Sequence, residues 1–541
     1  MKKLHFTTVH LLALLLTVSC QHKEVEKKVA EKPNIIFIMS DDHANQAISA
    51  YSSRLIETPN IDRIAKGGIK FTNASVTNSI CAPSRATILT GKHNHINGKT
   101  DNRRPFDTTQ VTFPQIFQKA GYETAMFGKL HFGNNPKGVD DFMILPGQGN
   151  YINPDFNTPH GDTTITGYVT DIITDITLNW LDKKRNPEKP FMLMYLHKAP
   201  HRPWWPSPEK FEEFYGKTFP EPTTLFDDYS NRGTAAKTAE MNLLRHMMYN
   251  HDSKIRPGLT EKLQPEPVVP EFEGGFDNPY TNRATDAQKA LYEPILDKIN
   301  KDFETNWPQM NDEEKMRWKY QRYMQDYLAC ISSVDDNVGR VLDYLDANGL
   351  SDNTMVIYTS DQGFYLGEHG WFDKRFIYDA SFKTPLLIRR PNKIKPGITN
   401  EEMVQNLDFA QTMLEAAQIE APNDMQGESL MPLLTSNDAN WTRDAVYYHY
   451  YEYPAVHQVK RHYGIVTIDY KLVHFYYDVD EWELYDRKKD PNEINNVYTD
   501  PAYANIVAEL KLKLEDLRKH YGDSDELNQK YIDLDLERNM K

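Results

Sequence analysis

An α/β fold, a mostly parallel sheet sandwiched by helices, is predicted by three features of the sequence. Apolar runs such as Pro33-Asn34-Ile35-Ile36-Phe37-Ile38-Met39 read as strands buried on both faces. Segments of helical periodicity alternate with those runs, as the crossovers of a parallel sheet require. From about residue 425 the pattern changes to closely spaced aromatic stretches, which read as a smaller C-terminal antiparallel sheet plus helix. With 541 residues the chain can bury a large main core and a second, smaller one.

Taken in order, the chain opens with Lys2-Lys3, an apolar run over 11–16, and Val18-Ser19-Cys20. This reads as an export signal over 1–19, too short to span a bilayer. Its ending resembles a bacterial lipobox, which implies cleavage before Cys20 and a lipid anchor to the membrane on the Cys20 sulfur. The expected location is the cell envelope, as an outer-membrane lipoprotein facing the periplasm; the alternative is an ordinary signal peptide with an incidental cysteine. Residues 20–32 are charged and aperiodic, a tether. The main domain is expected over 33–424 and the C-terminal subdomain over 425–541.

The first strand, 33–39, ends in Ser40-Asp41-Asp42. A helix over 58–71, capped at Thr58-Pro59 and closing near Gly67-Gly68, leads through a short strand to the stretch 78–91. There Pro83 suits a first helical turn and Gly91 a C-terminal stop, which puts Cys81 at a helix N-terminus. Unpaired N–H groups at that position favour a developing anion. A helix over 111–121 and a strand over 122–127 run into Gly128-Lys129-Leu130-His131. A helix over 168–184 and a strand over 190–196 run into His197-Lys198-Ala199-Pro200-His201. Residues 203–310 break this rhythm and read as an insertion with helices over 234–249 and 284–304. A long helix over 311–347 precedes a strand, 354–359, that ends in Ser360-Asp361-Gln362-Gly363; another strand covers 384–389. Short strands over 447–451, 464–467 and 470–474 and a helix over 502–520 complete the chain.

A net charge of −15 argues against nucleic acid, though a local cationic pocket can still hold a polyanion. Three cysteines are too few for a disulfide framework, and Cys330, in a helical pattern, reads as a core thiol. No repeat and no transmembrane span is evident.

Four apolar strands end in polar groups, and in open α/β sheets sites gather beyond the carboxyl ends of strands. Asp41, Asp42, Asp361 and the Gln362 carbonyl form an all-oxygen set suited to a hard cation, Ca2+ before Mg2+. No Cys/His cluster has zinc spacing. Cys81 alone reads as a buried thiol or as a nucleophilic thiolate. A third reading comes from Cys81-Ala82-Pro83-Ser84-Arg85 followed by Thr90-Gly91-Lys92, which resembles the signature of the type I sulfatases.

The resemblance runs from about Asn34 to Tyr498 and implies an alkaline-phosphatase-like fold. It implies that a maturation enzyme oxidises Cys81 to formylglycine, whose hydrate is the nucleophile. It implies Ca2+ held by Asp41, Asp42, Asp361 and Gln362 beside residue 81, with Gln362 in place of the more familiar Asn or His. Arg85, one turn from Cys81, would orient the hydrate. Lys129 and His131 (Gly-Lys-x-His) would flank it, His201 would protonate the leaving alcohol, and Lys374 would bind sulfate. The stretches 145–151, 361–372, 448–452 and 459–464 are most similar to bacterial N-acetylglucosamine-6-sulfatase-like glycan sulfatases, which implies exo action on a sulfated oligosaccharide. His457 and Arg461 are the expected sugar contacts, with Trp204 or Trp205 on the opposite wall. The alternatives are a phosphomonoesterase or phosphodiesterase of the same superfamily, a cysteine hydrolase, and a non-catalytic glycan-binding lipoprotein.

Overall fold

At the centre of the fold lies the strand Asn34–Ser40, buried along its whole length. Its side chains alternate between two cores, as a period of two requires. Ile36 and Ile38 pack with the long helix Asp312–Ala347 and the helix Val169–Asn179. Ile35, Phe37 and Met39 pack with the helices Cys81–Thr90, Phe113–Lys119 and Phe409–Ala416. The computed structural model describes residues 1, 32–270, 279–436 and 440–539. Apart from Met1, the expected signal, Cys20 and nearly all of the tether lie outside the described residues.

Thr354–Ser360 pairs in parallel on one side of the central strand and Phe191–Leu196 on the other, and Glu123–Lys129 follows in parallel. Ten strands make up this sheet, parallel in its middle. Leu386–Arg389 is antiparallel to Thr354–Ser360, and the hairpin Asp155–Thr158 and Gly161–Thr164 closes the opposite edge. The register puts Ser40 beside Ser360 and Met39 beside Leu196. Four chemically loaded strand ends therefore emerge in one row.

Several expected boundaries differ. The helix expected over 58–71 is Pro59–Lys66, because Gly67 ends it and Ile69–Phe71 joins the sheet instead. There Gly68 lies so close to Leu386–Arg389 that a Cβ would sit 2.0 Å from the Ile388 carbonyl oxygen. The helix expected over 234–249 is two short pieces, Thr234–Thr238 and Leu243–His246, separated at Asn242, whose side chain caps the second. The long helix starts where expected, since Asn311 and Glu314 form a capping box. The helix Asp525–Asn539 was not signalled, because its apolar residues are few and its helical stripe weak.

The C-terminal sheet has four antiparallel strands, Ala445–Tyr450, His462–Thr467, Tyr470–Phe475 and Glu481–Asp486. One face carries the helix Ala504–Tyr521, and the other packs on Tyr365, Trp371 and Phe376 of the main body. The stretch 447–463 is largely buried. Its tyrosines satisfy their hydroxyls internally: Tyr448 donates to the Arg375 carbonyl at 2.6 Å and Tyr450 to the Glu452 carbonyl at 2.8 Å. No helix among the described residues is long and apolar enough to cross a membrane.

Gly128 sets how closely two of the strand ends approach. It has φ +106°, and a Cβ there would meet the Leu196 carbonyl oxygen at 1.8 Å. Gly128→Ala is expected to destabilise the protein by about 2–4 kcal/mol, from backbone strain plus the clash. Denaturant unfolding measures this; a loss below about 0.5 kcal/mol would mean the strands have room to separate.

Candidate active site

The parallel pairing of Asn34–Ser40 with Thr354–Ser360 places Asp41 and Asp42 against Asp361 and Gln362. Asp42 is left-handed, at φ 68°, and its backbone N–H donates to Asp361 Oδ1 at 3.0 Å. Carboxylate oxygens of Asp41, Asp42 and Asp361 lie within 4.8 Å of one another, fully buried. The helix Cys81–Thr90 starts beside them. Cys81 Sγ is 3.9 Å from Asp42 Oδ1 and 4.0 Å from Gln362 Nε2.

Three buried cations face these acids. Arg85, one helical turn after Cys81, donates through Nε to Asp361 Oδ2 at 3.0 Å and lies 3.5 Å from Asp41 Oδ1. Its Nη1 also donates to the Lys129 carbonyl, tying helix to strand end. Lys129 Nζ donates to Asp41 and to Gln148. Lys374 Nζ donates to both oxygens of Asp42, at 2.6 and 2.7 Å. His201 Nε2 is 3.8 Å from Asp42 Oδ2, and its Nδ1–H donates to the Arg202 carbonyl at 2.6 Å. His131 follows Lys129 in a left-handed conformation, with Nδ1 buried and unpartnered among the described residues.

The electrostatics follow from burying six charges together. Burial raises the Asp42 carboxyl to about 7 and that of Asp361 to about 6, with neighbouring carboxylates adding to the effect. For Asp41 burial acts in the same direction, but Lys129, His201 and Arg85 outweigh it and hold the carboxyl well below its usual range. Burial and then Lys129 push His201 well below the ordinary imidazole range. Burial and then Asp41 push the Cys81 thiol well above its usual value, which disfavours a thiolate at this position.

The donor set fits a hard divalent cation. Asp41 Oδ1 and Gln362 Oε1 are buried acceptors with no hydrogen-bond partner among the described residues. They lie among carboxylates whose negative charge a cation would balance. The Gln362 amide nitrogen points to Asp42, so its carbonyl oxygen is the end left available.

A cavity of about 420 Å3 opens over this cluster. Its lining includes Lys374, His201 and Gln148, each of which also reaches the buried ions, and His457. His457 Nδ1–H donates to the Glu240 carbonyl at 2.7 Å, and its Nε2 is 3.3 Å from Asp373 Oδ2. Arg461 is not a wall residue. It is fully buried, pairs with Asp535, and donates through Nε to the Tyr453 carbonyl at 3.0 Å. Trp204 and Trp205 are not wall residues either. After Pro203 the chain turns into the core, where Trp204 packs 4.7 Å from the Tyr323 ring and Trp205 stacks on Tyr280 at 5.4 Å.

Sequence reasoning passed over Lys198, which lines the cavity three residues before His201 with its ammonium 4.7 Å from the Tyr151 ring centre. Burial followed by Lys129 brings it down to about 7. A lysine among strand-end residues was visible, but nothing in the sequence told it from a solvated one.

Comparison with known proteins agrees with this geometry. A sulfatase family model matches residues 33–419, and a model for the C-terminal part of N-sulphoglucosamine sulphohydrolase matches 367–520. The chain is 46% identical over 525 residues to an N-acetylglucosamine-6-O-sulfatase of Bacteroides thetaiotaomicron, covering 95% of this chain and 91% of that one. It is 26% identical to the human N-acetylglucosamine-6-sulfatase, over 77% of this chain and 67% of that one. A solved structure of a protein with its substrate D-glucosamine-2-N,6-O-disulfate superposes with a TM-score of 0.82 at 46% identity, over 92% of this chain and 99% of that one. A phosphonate monoester hydrolase of Agrobacterium radiobacter, TM-score 0.61 at 20% identity over 91% and 96% of the two chains, shares the fold alone.

The raised carboxyls make cation binding pH-dependent. A carboxyl raised above its unfolded value of 3.8 favours the folded state at low pH, and that contribution is lost as pH rises through about 6 to 7. A divalent cation needs both groups ionised and so displaces their protons. The increase in Tm on adding Ca2+ to chelator-treated protein should therefore be larger at about pH 8 than at about pH 5, by about 5 °C or more. Equal shifts at both pH values would place the ion elsewhere.

Proposed function

The chain belongs to the sulfatase family, and from that premise we propose that it removes the 6-O-sulfate from N-acetylglucosamine or N-sulfated glucosamine at the end of a sulfated oligosaccharide. The enzyme is a sulfuric ester hydrolase of the alkaline-phosphatase-like fold. The sugar assignment rests on the 46% identity, across nearly the whole chain, to an N-acetylglucosamine-6-O-sulfatase. A cavity of about 420 Å3, with cations at its base and polar groups on its rim, suits a terminal sugar and hence exo action.

We assign residue 81 as the formylglycine made from Cys81 by a maturation enzyme, and Asp41, Asp42, Asp361 and Gln362 as the ligands of Ca2+. Formylglycine supplies a hydrated aldehyde as nucleophile, and Ca2+ supplies positive charge beside it. The remaining work falls to side chains of this chain. Lys129 and Lys374 place buried ammonium groups, at the base of the cavity, where sulfuryl oxygens gather charge. Arg85 holds Asp361 and the Lys129 carbonyl in fixed relation to residue 81. His201 moves a proton at Nε2, because its Nδ1–H is committed to the Arg202 carbonyl. An anionic sulfate ester beside it favours the imidazolium that burial otherwise disfavours. We assign His131, two residues beyond Lys129 and with Nδ1 buried and unpartnered among the described residues, to the flank of residue 81. At the rim, Asp373, held by His457, offers oxygens to sugar hydroxyls. We also propose export as an outer-membrane lipoprotein facing the periplasm, anchored through Cys20, since the Val-Ser-Cys ending suits lipidation.

The rim assignment is tested by His457→Ala. Loss of the histidine removes the contact to Asp373 Oδ2, while Oδ1 stays on Arg375 Nε and the Lys374 N–H. It should lower kcat/KM on 6-sulfated N-acetylglucosamine about tenfold, with less than about a twofold effect on a small aryl sulfate. Equal losses on the two substrates would make His457 a structural or catalytic residue.

A further inference from the structure

We propose that the C-terminal helix Asp525–Asn539 is a clasp that fixes one wall of the substrate cavity, with Asp535 as its positioning residue. The inference uses the proposed function only to choose a substrate.

The wall in question is the loop 99–104, which belongs to no helix or strand. Its Asn102 and Arg103 line the cavity. Asn102 Oδ1 also accepts from the Ala82 N–H at 3.0 Å, so the same loop braces the first turn of the helix that carries residue 81. Inside the loop, Asp101 accepts from the backbone N–H groups of Arg103 and Arg104, at 2.8 and 2.6 Å. These contacts define the loop's shape; its attachment comes from outside.

The helix adds a second attachment beside the Asn102–Ala82 hydrogen bond. Arg104 Nη2 pairs with Asp535 Oδ1 at 2.5 Å, and the Arg104 guanidinium lies 5.5 Å from the Tyr531 ring centre. Arg538 Nη1 reaches Asp101 Oδ2 at 3.0 Å. The other oxygen of Asp535 pairs with Arg461, whose Nε holds the Tyr453 carbonyl. Tyr453 adjoins Glu452, which lines the same cavity. One buried carboxylate thus ties together two wall segments some 350 positions apart in sequence.

The docking is ionic more than apolar. Of the helix's larger apolar residues Tyr531 and Ile532 are buried, whereas Leu534 and Leu536 are each 38% exposed. Arg461 is 0% exposed, so removing the charge of Asp535 leaves a guanidinium without its counter-charge. The effect is felt where those guanidinium groups lead, at the cavity wall.

The test compares full-length wild type, Asp535→Asn, Asp535→Glu and Arg538→Gln. Amide hydrogen exchange over 99–104 should quicken about fivefold in Asp535→Asn, while the central strand 34–40 stays unchanged. KM for 6-sulfated N-acetylglucosamine should rise about fivefold with kcat within about twofold, and KM for a small aryl sulfate should not move. Asp535→Glu should restore both readouts. Arg538→Gln, which alters a more exposed contact to the same loop, should move them the same way and keeps the test open if Asp535→Asn does not fold. Unchanged exchange in the loop of a folded variant overturns the clasp. So does uniform quickening across the chain with kcat falling on both substrates. If wild type fails to hydrolyse the sugar, the substrate assignment fails, and the exchange arm alone decides the clasp.

Discussion

Three carboxylates and three cations share a buried space at the ends of adjacent strands, and the surrounding fold has to keep those charges apart and oriented. Asp41, Asp42 and Asp361 face Arg85, Lys129 and Lys374 with almost no access to water. A buried charge is tolerated only when paired in good geometry. The geometry is supplied by rigid parts: parallel strands set the spacing of the acids, a helix start presents residue 81, and the Arg85 fork locks one to the other. Low local dielectric then makes each ammonium group more effective toward a sulfate ester than it would be in water.

The general chemistry and the choice of sugar have different structural sources. The ends of Asn34–Ser40, Glu123–Lys129, Phe191–Leu196 and Thr354–Ser360 lead into the ion cluster, and all belong to the sheet. The rim is assembled from connections that are far apart in sequence, including Asn102-Arg103, Gln148, Asp373 and His457. Such loops can vary without disturbing the sheet, so one catalytic base can serve many sulfated sugars. Here the rim is braced by tertiary contacts with the C-terminal sheet and helix, which gives the smaller part of the chain a stake in recognition.

How much of this was legible in the sequence depends on the range of the interactions involved. The apolar strands and their Asp endings were readable because burial on both faces leaves a continuous hydrophobic run. The Cys81 motif was readable because its residues lie within one helical turn. Lys198 was missed because a buried lysine and a solvated one look alike until the Tyr151 ring is in place. Arg461, Trp204 and Trp205 were placed on the cavity wall because polar and aromatic residues suit sugars. The structure instead uses Arg461 as a buried counter-ion and the two indoles as core, roles fixed by Asp535, Tyr323 and Tyr280 from distant parts of the chain. The tyrosine-rich strands can be buried because the carbonyl partners of their hydroxyls come from neighbouring loops, which local sequence does not reveal.

The central claim is that residue 81, placed at a helix start beside the carboxylate cluster, acts as formylglycine and not as a thiol. The most direct measurement is the mass of the tryptic peptide 71–85, taken from preparations whose specific activity on a sulfate ester is measured in parallel. The peptide is expected to carry the aldehyde or its hydrate in proportion to activity, across preparations made with and without a co-expressed maturation enzyme. Full activity from a preparation whose peptide 71–85 carries only the cysteine thiol would contradict the account.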